Sequence, residues 1–558
     1  MSKIRIAKLR IKNYRSFKES QTFDFPDENY LKPISIVGYN NSGKTNMMNA
    51  ILYGIGEKYL TAKTFELLDL HNLDTENHIE IKTRIEATPY GQNQYGEQTI
   101  AGDYHIKTEL VDYEIKSSIN KSFFGANKHY NIFYLNFHNI KDEISIKKTN
   151  WGTLTSFLSK HIKKIIDSDE LINERKEQFT EDIKNSTDEI IRDSTLNTFI
   201  ERISHNYENN LRQNNCHIEF GMPNYEDIFH QMLFKIGLNG NENKLLPINQ
   251  LGDGYISMFV MAVIQSIAES DIADKCLFLF EEPESFLHEN HQEYFYKMVL
   301  CQLSKNGHQV IYTTHSDKMI DVFDTKSIIR LEFDEEHKRS IVKYNDIEDF
   351  ELSTTPIISI ENYNSYIKSI EPNINKILFS RKVLLVEGPN DLLTYNYIIE
   401  KLAFESTGNE DYSKAFLNYK NISIAVHHGK ATAYIMAELC QHFGINYFLI
   451  NDWDLEENLL DDLLNFENIV ELQESDLYQN SNGVNRNPTE KGIITTNWKL
   501  LNSARNNQIH FNYKNLEHVL GYEFNDKDSL KIWTLLNQTT NFNTNIFPES
   551  LKEFLELS

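Results

Sequence analysis

Two groups of residues in this sequence have the types and the spacing to handle phosphate. Near the N-terminus, Gly38 and Gly43 bracket four residues, and Lys44 and Thr45 complete the pattern GxxxxGKT. In such a loop the backbone N–H groups converge on phosphate oxygens, the lysine binds the terminal phosphates and the threonine hydroxyl ligates Mg²⁺. A glycine-rich turn can also merely begin a helix. The choice between this interpretation and a phosphate-binding loop depends on the flanking elements.

The elements around this loop favour nucleotide binding. Ile34, Ile36 and Val37 predict a short buried strand that ends at the loop, and residues 46–55 have the spacing of a helix. A strand, a glycine loop and a helix in this order aim the positive end of the helix at a phosphate. The sequence therefore predicts a site for ATP and its Mg²⁺ at Asn40, Asn41, Ser42, Gly43, Lys44 and Thr45.

An acidic pair lies where a nucleotide site needs one. Glu281 and Glu282 follow the apolar run 277–280, which predicts another buried strand. Adjacent carboxylates can divide two tasks in phosphoryl transfer, so we assign Glu281 to the metal and Glu282 to the attacking water. His315 follows a further buried strand; alone it is a weak signal, but its order after the glutamates predicts a contact with the γ-phosphate.

A second group of acids lies in the C-terminal third. Glu387 follows the apolar run 383–386, Asp391 opens the next helix, and Asp452 and Asp454 lie at the tip of another strand. Alternating strands and helices predict a small parallel sheet, whose strands bring their carboxyl ends to one edge. Converging carboxylates repel one another unless cations neutralise them, so we expect two Mg²⁺ or Mn²⁺ ions and phosphodiester chemistry.

The length of 558 residues predicts about two to four domains. Their predicted order is a first part of the nucleotide-binding domain at 1–148, a helical insert at 149–215, the second part at 216–345, a connector at 346–378 and the acidic domain at 379–558. The insert is charged, with apolar residues at helical spacing. It is either a dimerisation region, which we favour, or a solvated decoration.

Composition sets limits on the function. The net charge of −25 argues against a wide basic surface for nucleic acid, which leaves an acidic protein that never touches nucleic acid as an alternative. Binding depends on local charge, however, and metal-binding acids add to the negative sum. We find no apolar run of the roughly 20 residues that a membrane helix needs. Four cysteines without a CxxC pair and no signal peptide predict a reducing cytoplasm.

The first part of the chain resembles the ABC-type ATPase heads of the RecF and SMC kind. The motifs that carry the resemblance are GYNNSGKT, LGDGY at 251–255, FEEPESFLH and TTHS, in this order. The resemblance implies an α/β head in which two subunits sandwich ATP, so that Gly252 and Gly254 of one subunit face the γ-phosphate held by the other. Gly252 replaces the usual signature serine and Asp253 follows it, which predicts slow or regulated hydrolysis.

The C-terminal part resembles a TOPRIM domain with a small parallel sheet. An ABC-type head with a helical insert, followed by TOPRIM, is similar to the OLD (overcoming lysogenization defect) family of ATP-dependent nucleases, which includes the Gabija nuclease subunit and retron-associated antiphage effectors. The resemblance implies that Glu387, Asp391, Asp452 and Asp454 bind metals and act in catalysis. It adds Glu517 as a further ligand and Lys527 as the cation that neutralises transition-state charge; a solvated side chain is the alternative for these two.

The resemblance thus implies an ATP-regulated endonuclease in antiphage defence, with DNA favoured over RNA as its substrate and RNA left open. It also implies a homodimer or homotetramer and a partner such as a helicase or a reverse transcriptase with its RNA–DNA product. Whether ATP promotes or restrains cutting stays open, although the family suggests restraint. The alternative is a non-cutting ATP-dependent clamp or sensor whose TOPRIM acids bind metal for structure only.

Overall fold

The computed structural model describes residues 3–56, 64–88, 100–111, 114–121, 132–140, 170–211, 235–237, 245–247, 250–269, 274–348, 350, 360–481, 483–504, 508–523 and 526–557. Its N-terminal half contains the strands β1 (Lys3–Lys12), β2 (Gln21–Asp24), β3 (Ile34–Val37), β4 (Glu80–Thr88), β5 (Ile100–Val111), β6 (Glu114–Lys121), β7 (Ile132–Asn136), β8 (Lys235–Gly237), β9 (Leu245–Pro247), β10 (Leu277–Glu281), β11 (Gln309–Thr313), β12 (Ile328–Asp334) and β13 (Arg339–Tyr344). The helices of this half are α1 (Lys44–Gly54), α2 (Glu170–Ile191), α3 (Thr195–Leu211), α4 (Asp253–Glu269), α5 (Glu289–Phe295) and α6 (Cys301–Lys305), the last two joined by a π-helical turn.

Two large sheets build this half, and β8 pairs with β9 in a separate two-stranded sheet. Strands in the order β2-β1-β4-β5-β6 form an antiparallel sheet, and strands in the order β13-β12-β3-β11-β10-β7 form a second sheet that is parallel from β12 to β7. The parallel sheet is covered on both faces, which explains why every residue of β3 and β10 is buried and most of them are apolar. One face packs on α1 and the antiparallel sheet, and the other packs on α4 and the α5–α6 helix.

The region predicted as a helical insert contains α2 and α3. Both helices lie within the predicted range, and residues 149–169 and 212–215 of that range lie outside the described residues. The predicted connector contains α7 (Ile360–Ile370), and a 3-10 helix at Ile374–Phe379 leads into the next domain.

The C-terminal domain has a four-stranded parallel sheet. Its strands are β14 (Lys382–Val386), β15 (Ile422–Val426), β16 (Asn446–Asp452) and β19 (Ile509–Asn512), with a small hairpin of β17 (Asn480–Ser481) and β18 (Val484–Asn485) before the last. The order is β15-β14-β16-β19, and all neighbours run parallel. The helices are α8 (Pro389–Thr407), α9 (Glu410–Tyr419), α10 (Lys430–His442), α11 (Leu460–Leu463), α12 (Ile469–Glu474), α13 (Asp476–Gln479), α14 (Pro488–Ser503), α15 (Leu516–Leu520), α16 (Ser529–Gln538) and α17 (Glu549–Leu555). The predicted small parallel sheet is therefore present.

A continuous core joins the two halves. Val37, Ile328 and Tyr344 of the first half belong to one buried apolar cluster with the inner residues of β14 and α10. Within the same boundary, the buried side chain of Arg330 donates from Nε to the carbonyl of Leu378, at 3.2 Å, just before β14 begins. The strand that ends in the glycine loop and the strand that ends in the C-terminal acids therefore share packing. Among the described helices, none has the length and apolar character to cross a bilayer.

Candidate phosphate and metal sites

The glycine loop connects β3 to α1 in the conformation that a phosphate cradle needs. Gly38 and Gly43 have positive φ angles of 152° and 102°, and a Cβ at Gly38 would lie 2.3 Å from the carbonyl oxygen of Leu331. The loop lines an open cavity of about 600 Å³. Its lining contains every loop residue predicted to bind ATP, together with Asn46, Glu282 and His315.

Lys44 lies at the centre of this cavity. Its ammonium Nζ donates to the carbonyls of Gly38, at 2.8 Å, and Tyr39, at 3.1 Å, and lies 3.5 Å from Nδ1 of His315. Burial lowers the pKa of Lys44 to about 8, against the opposing charges of Glu282 and Glu284. A triphosphate in the cavity would add the negative charge that holds this ammonium protonated.

Glu282 reaches the cavity from the end of β10. Its φ of 46° lies in the left-handed region, which turns the side chain away from the line of the strand. Nε2 of His315 lies 3.3 Å from its Oε1, and Nε2 of His138 donates to its Oε2 at 2.7 Å. These hydrogen bonds, that of His315 first, outweigh burial and lower the pKa of Glu282 to about 2. The carboxylate is therefore ionised at neutral pH.

Glu281 lies behind Glu282 and is buried. Its Oε2 accepts from the hydroxyl of Tyr134, at 2.8 Å, and from Nδ2 of Asn136, at 3.2 Å. It is not among the residues that line the cavity, so its assignment to the metal stays a prediction. The signature glycines Gly252 and Gly254 lie at the start of α4 and also do not line the cavity. A contact with ATP held by a second subunit stays a prediction for both.

The second group of acids gathers at the carboxyl edge of the C-terminal sheet. Glu387 follows β14, and its Oε2 accepts from the backbone N–H of Asp452 at the end of β16, at 3.0 Å. Asp391 caps α8 by accepting from the N–H of Gly388, at 3.0 Å. Oδ1 of Asp452 accepts from the N–H of Leu516, at 2.9 Å. The parallel topology thus brings acids 65 residues apart into direct contact.

These acids carry more negative charge than their surroundings balance. Burial, followed by the charges of neighbouring acids, raises the pKa of Asp452 to about 8 and that of Asp391 to about 7. Burial also raises the pKa of Glu387. Oδ1 of Asp391 and Oε2 of Glu517 are buried and have no hydrogen-bond partner within the described ranges. Oxygen donors of this kind suit a hard divalent cation.

The acids lie at the same edge of the sheet, but they do not yet form a set of metal ligands around one position. In the part of the chain that the structure describes, no three His, Cys, Asp or Glu side chains already surround a common metal position. One of the predicted ligands, Asp454, has a φ of 60°, and its Oδ2 lies 2.7 Å from Nζ of Lys430. A cation would compete with this lysine and with the backbone N–H groups for the same carboxylates.

Two lysines approach the acidic edge. Nζ of the predicted Lys527 lies 3.8 Å from Oε2 of Glu517. Burial raises the pKa of Glu387, and the charge of Lys527 is among the smaller effects that oppose this rise, so both tail residues lie at the acidic edge. Lys430 was not among the predicted site residues; its place after β15, next to Gly429, is the signal that could have indicated it. His138 gave no signal, because it lies 144 residues from Glu282.

A phosphate loop and an acidic pair on a covered parallel sheet, packed against a second parallel sheet with an acidic edge, define an ATPase head joined to a TOPRIM-type domain. Models of two protein families match the same two regions of the chain. Residues 5–320 match the AAA ATPase domain, and residues 378–454 match the TOPRIM domain of overcoming lysogenization defect protein-like proteins. The chain belongs to the AAA ATPase domain family and carries an OLD-like TOPRIM domain, which confirms the predicted resemblance and the use of a nucleotide and a divalent metal.

Relatives align across both domains. An OLD nuclease of Thermus scotoductus is 24% identical over 478 residues, which cover 81% of this chain and 83% of that protein. Endonuclease GajA of Bacillus cereus is 23% identical over 420 residues, covering 72% of this chain and 68% of that protein, and the Old nuclease of Escherichia phage P2 is 24% identical over 508 residues, covering 82% and 78%. The structure of an SMC head bound to the C-terminal winged-helix domain of ScpA aligns with 60% of this chain and 96% of that chain, at 17% identity and a TM-score of 0.35.

Proposed function

We propose that this chain is an ATP-regulated, divalent-metal-dependent endonuclease that cuts DNA. The acidic edge of the TOPRIM sheet carries the proposal, because buried carboxylates with pKa values raised to about 7 and 8 need cations to be ionised together at neutral pH. Three relatives named as nucleases align with both domains, which favours cutting over the alternative of a clamp.

In this proposal the TOPRIM acids share the work of holding two Mg²⁺ or Mn²⁺ ions. The ligands are Glu387, Asp391, Asp452, Asp454 and Glu517. Bound ions would activate a water molecule and stabilise the departing oxygen of the phosphodiester. The protein orients Asp452 through the N–H of Leu516 and binds Glu387 to β16 through the N–H of Asp452. Lys527 supplies positive charge for the phosphate in the transition state.

The ATPase site regulates this chemistry. Residues 40–45 bind the phosphates, Thr45 and Glu281 hold Mg²⁺, and Glu282 polarises the attacking water. His315 turns to the γ-phosphate, and Gly252 and Gly254 of a second copy close the site. The missing signature serine makes turnover slow, so the nucleotide acts as a signal rather than as a source of work.

The shared core offers a route between the sites. Helix α10 begins at Lys430, which pairs with Asp454, and ends at His442, whose Nε2 lies 2.8 Å from the hydroxyl of Tyr344 at the end of β13. A rearrangement of the ATPase sheet would therefore reach the acidic edge through one helix. We expect ATP to restrain cutting, and the cutting rate measured against ATP concentration tests the sign.

The biological setting is proposed from the relatives. We place the enzyme in the cytoplasm as a homodimer or homotetramer that acts in antiphage defence. A helicase, or a reverse transcriptase with its RNA–DNA product, is the expected partner. DNA is preferred to RNA as the substrate.

Plasmid cleavage tests the proposed function. The wild-type protein should cut supercoiled DNA with Mg²⁺ or Mn²⁺ and stop when a chelator is added. Asp452→Ala should lower the rate by roughly 10³-fold, because loss of a metal ligand removes several kcal/mol of transition-state stabilisation. Asp411→Ala, an exposed acid on α9, is the control and should cut at the wild-type rate. Equal cutting by the wild-type protein and Asp452→Ala would refute the site.

A further inference from the structure

The edge strand β7 and the turn that follows it supply a polar partner to each of the two ATPase acids. It runs parallel to β10, with Asn136 directly opposite Glu281. Alternate residues of a strand share one face, so Tyr134 and Asn136 both project towards the end of β10. His138 continues the same spacing of two in the short 3-10 turn Phe137–Asn139 that follows β7. Three side chains from one short segment therefore meet the acidic pair.

Asn136 links the two acids. Its Nδ2 donates to Glu281 at 3.2 Å, while its Oδ1 accepts from the backbone N–H of His138 at 3.0 Å. The second bond fixes the turn that carries the imidazole. The contact of 2.7 Å between Nε2 of His138 and Oε2 of Glu282 is thus held by a turn, not by an isolated rotamer.

The two oxygens of Glu282 have different partners. Oε2 is bound by His138, and Oε1 lies 3.3 Å from Nε2 of His315. His315 is also 3.5 Å from Nζ of Lys44, so it belongs to the phosphate side of the cavity. When His315 turns to a γ-phosphate, Oε1 becomes available to water while Oε2 stays bound to His138.

Stability alone does not account for the His138 contact. The His138 side chain is 53% exposed. An exposed ion pair of this kind contributes little to folding. His337 provides a direct comparison, because its side chain is also 53% exposed and its Nδ1 lies 2.9 Å from Oδ2 of Asp334, a carboxylate that does not line the cavity as Glu282 does. The two histidines differ in their carboxylate partners, because Glu282 has a proposed role in ATP hydrolysis and Asp334 has none.

We propose that His138 is a positioning residue for ATP hydrolysis that holds Glu282 through Oε2 and so aims Oε1 at the attacking water. The inference rests on the proposed role of Glu282. In the step, the water oxygen bonds to the γ-phosphorus as the bond from that phosphorus to the β,γ-bridging oxygen breaks. ADP leaves with the electron pair, and the proton of the water passes to Oε1.

Steady-state ATP hydrolysis and binding of a fluorescent ATP analogue test this role. His138→Ala should lower kcat roughly 10- to 100-fold, because misplacement of a reacting group by about 1 Å has an effect of this order. The Kd of the analogue and the Tm should stay at their wild-type values. His138→Gln, whose amide can donate to Oε2, should recover part of kcat. His337→Ala should leave kcat unchanged.

The outcomes separate this inference from the proposed function. If Glu282→Gln loses hydrolysis while His138→Ala keeps the wild-type kcat, the positioning role is wrong and the role of Glu282 stands. A loss of analogue binding with unchanged kcat, or equal losses in His138→Ala and His337→Ala, would also overturn it. If Glu282→Gln hydrolyses ATP at the wild-type rate, the assignment of Glu282 fails and the positioning role fails with it.

Discussion

The two phosphate-handling regions of this molecule treat their carboxylates in opposite ways. In the ATPase head, hydrogen bonds from His315 and His138 lower the pKa of Glu282 to about 2. At the TOPRIM edge, burial and the neighbouring acids raise the pKa of Asp452 to about 8. The first site supplies its own positive partners, whereas the second gathers negative charge that its lysines do not balance.

This difference shows which ligand each site needs. The cavity of the head is lined by an ammonium, that of Lys44, and by an imidazole, that of His315, so it is prepared for an anion such as a triphosphate. The TOPRIM edge is prepared for cations, and without them its acids are partly protonated. In the head, protein groups thus stabilise the ionised carboxylate of Glu282 before the nucleotide binds. At the TOPRIM edge, the ionised carboxylates are not stabilised in this way until cations bind.

The largest expected effect tests the head alone. Glu282→Gln keeps the size of the side chain but removes the base, so ATP hydrolysis should fall about 10²- to 10⁴-fold, as loss of a general base does. Binding of a fluorescent ATP analogue should persist. Asp452→Asn, measured in the same hydrolysis assay, should stay within about twofold of the wild-type protein. A similar loss in both variants would show that the two sites are not separate.

The next effect tests the cation requirement of the TOPRIM edge. At a free metal concentration 100 times its Kd, Mn²⁺ should raise the free energy of unfolding by about 2.7 kcal/mol if it binds only the folded state. Urea denaturation with Mn²⁺ and with a chelator measures this difference. The double variant Asp391→Asn, Asp452→Asn should lose it, and Glu282→Gln should keep it. Equal stabilisation of all three proteins would place the cation elsewhere.

A smaller effect concerns the pH dependence of the metal-free protein. The folded pKa values of Asp452 and Asp391, about 8 and 7, lie above the ordinary value of 3.8, so the folded state binds more protons than the unfolded state. Stability should therefore rise as pH falls from 9 to 7, by up to about 1.4 kcal/mol per pH unit for each proton bound. Urea denaturation at each pH measures the slope.

Two comparisons define this pH prediction. Asp452→Asn should flatten the slope near pH 8, and an unchanged slope in that variant would contradict the raised pKa of Asp452. Below pH 6.5 the slope should become shallower, because burial lowers the pKa of His308 and of His427 to about 4, and these two histidines oppose the gain in stability from the two acids. An imidazole that stays neutral in the folded state favours unfolding as the medium becomes acidic.

Sequence patterns predicted the parts of both sites that are local. The glycine loop, the acidic pair after β10 and the acids after β14 and β16 are each encoded within a few residues, because a buried strand and its exposed end have opposite compositions. Parallel topology then brings the ends together. The predicted strand at 34–37 and the predicted strand at 277–280 differ from β3 and β10 by no more than one residue.

The contacts that decide the charge balance were not predictable in this way. His138 meets Glu282 across 144 residues, and β7 has no glycine or motif that indicates its role. The core shared by Val37, β14 and α10 likewise depends on how two domains pack, which apolar periodicity does not specify. The pairing of Lys430 with Asp454, whose backbone is left-handed, joins residues 24 positions apart and follows no local pattern.

The last prediction distinguishes a role of Lys527 in catalysis from a role in folding, and it has the smallest expected effect on stability. The Lys527 side chain is 71% exposed and its Nζ lies 3.8 Å from Glu517, so Lys527→Met should change the free energy of unfolding by less than about 0.5 kcal/mol. Plasmid cutting should nevertheless fall about tenfold, since a change of 1.4 kcal/mol in the barrier has that effect. Lys531→Met, which removes a nearby surface lysine paired with Asp526 at 2.9 Å, is the matched control for both measurements. If the two variants cut equally well, the charge of Lys527 belongs to the solvated surface, and Lys430 is then the lysine that serves the acids.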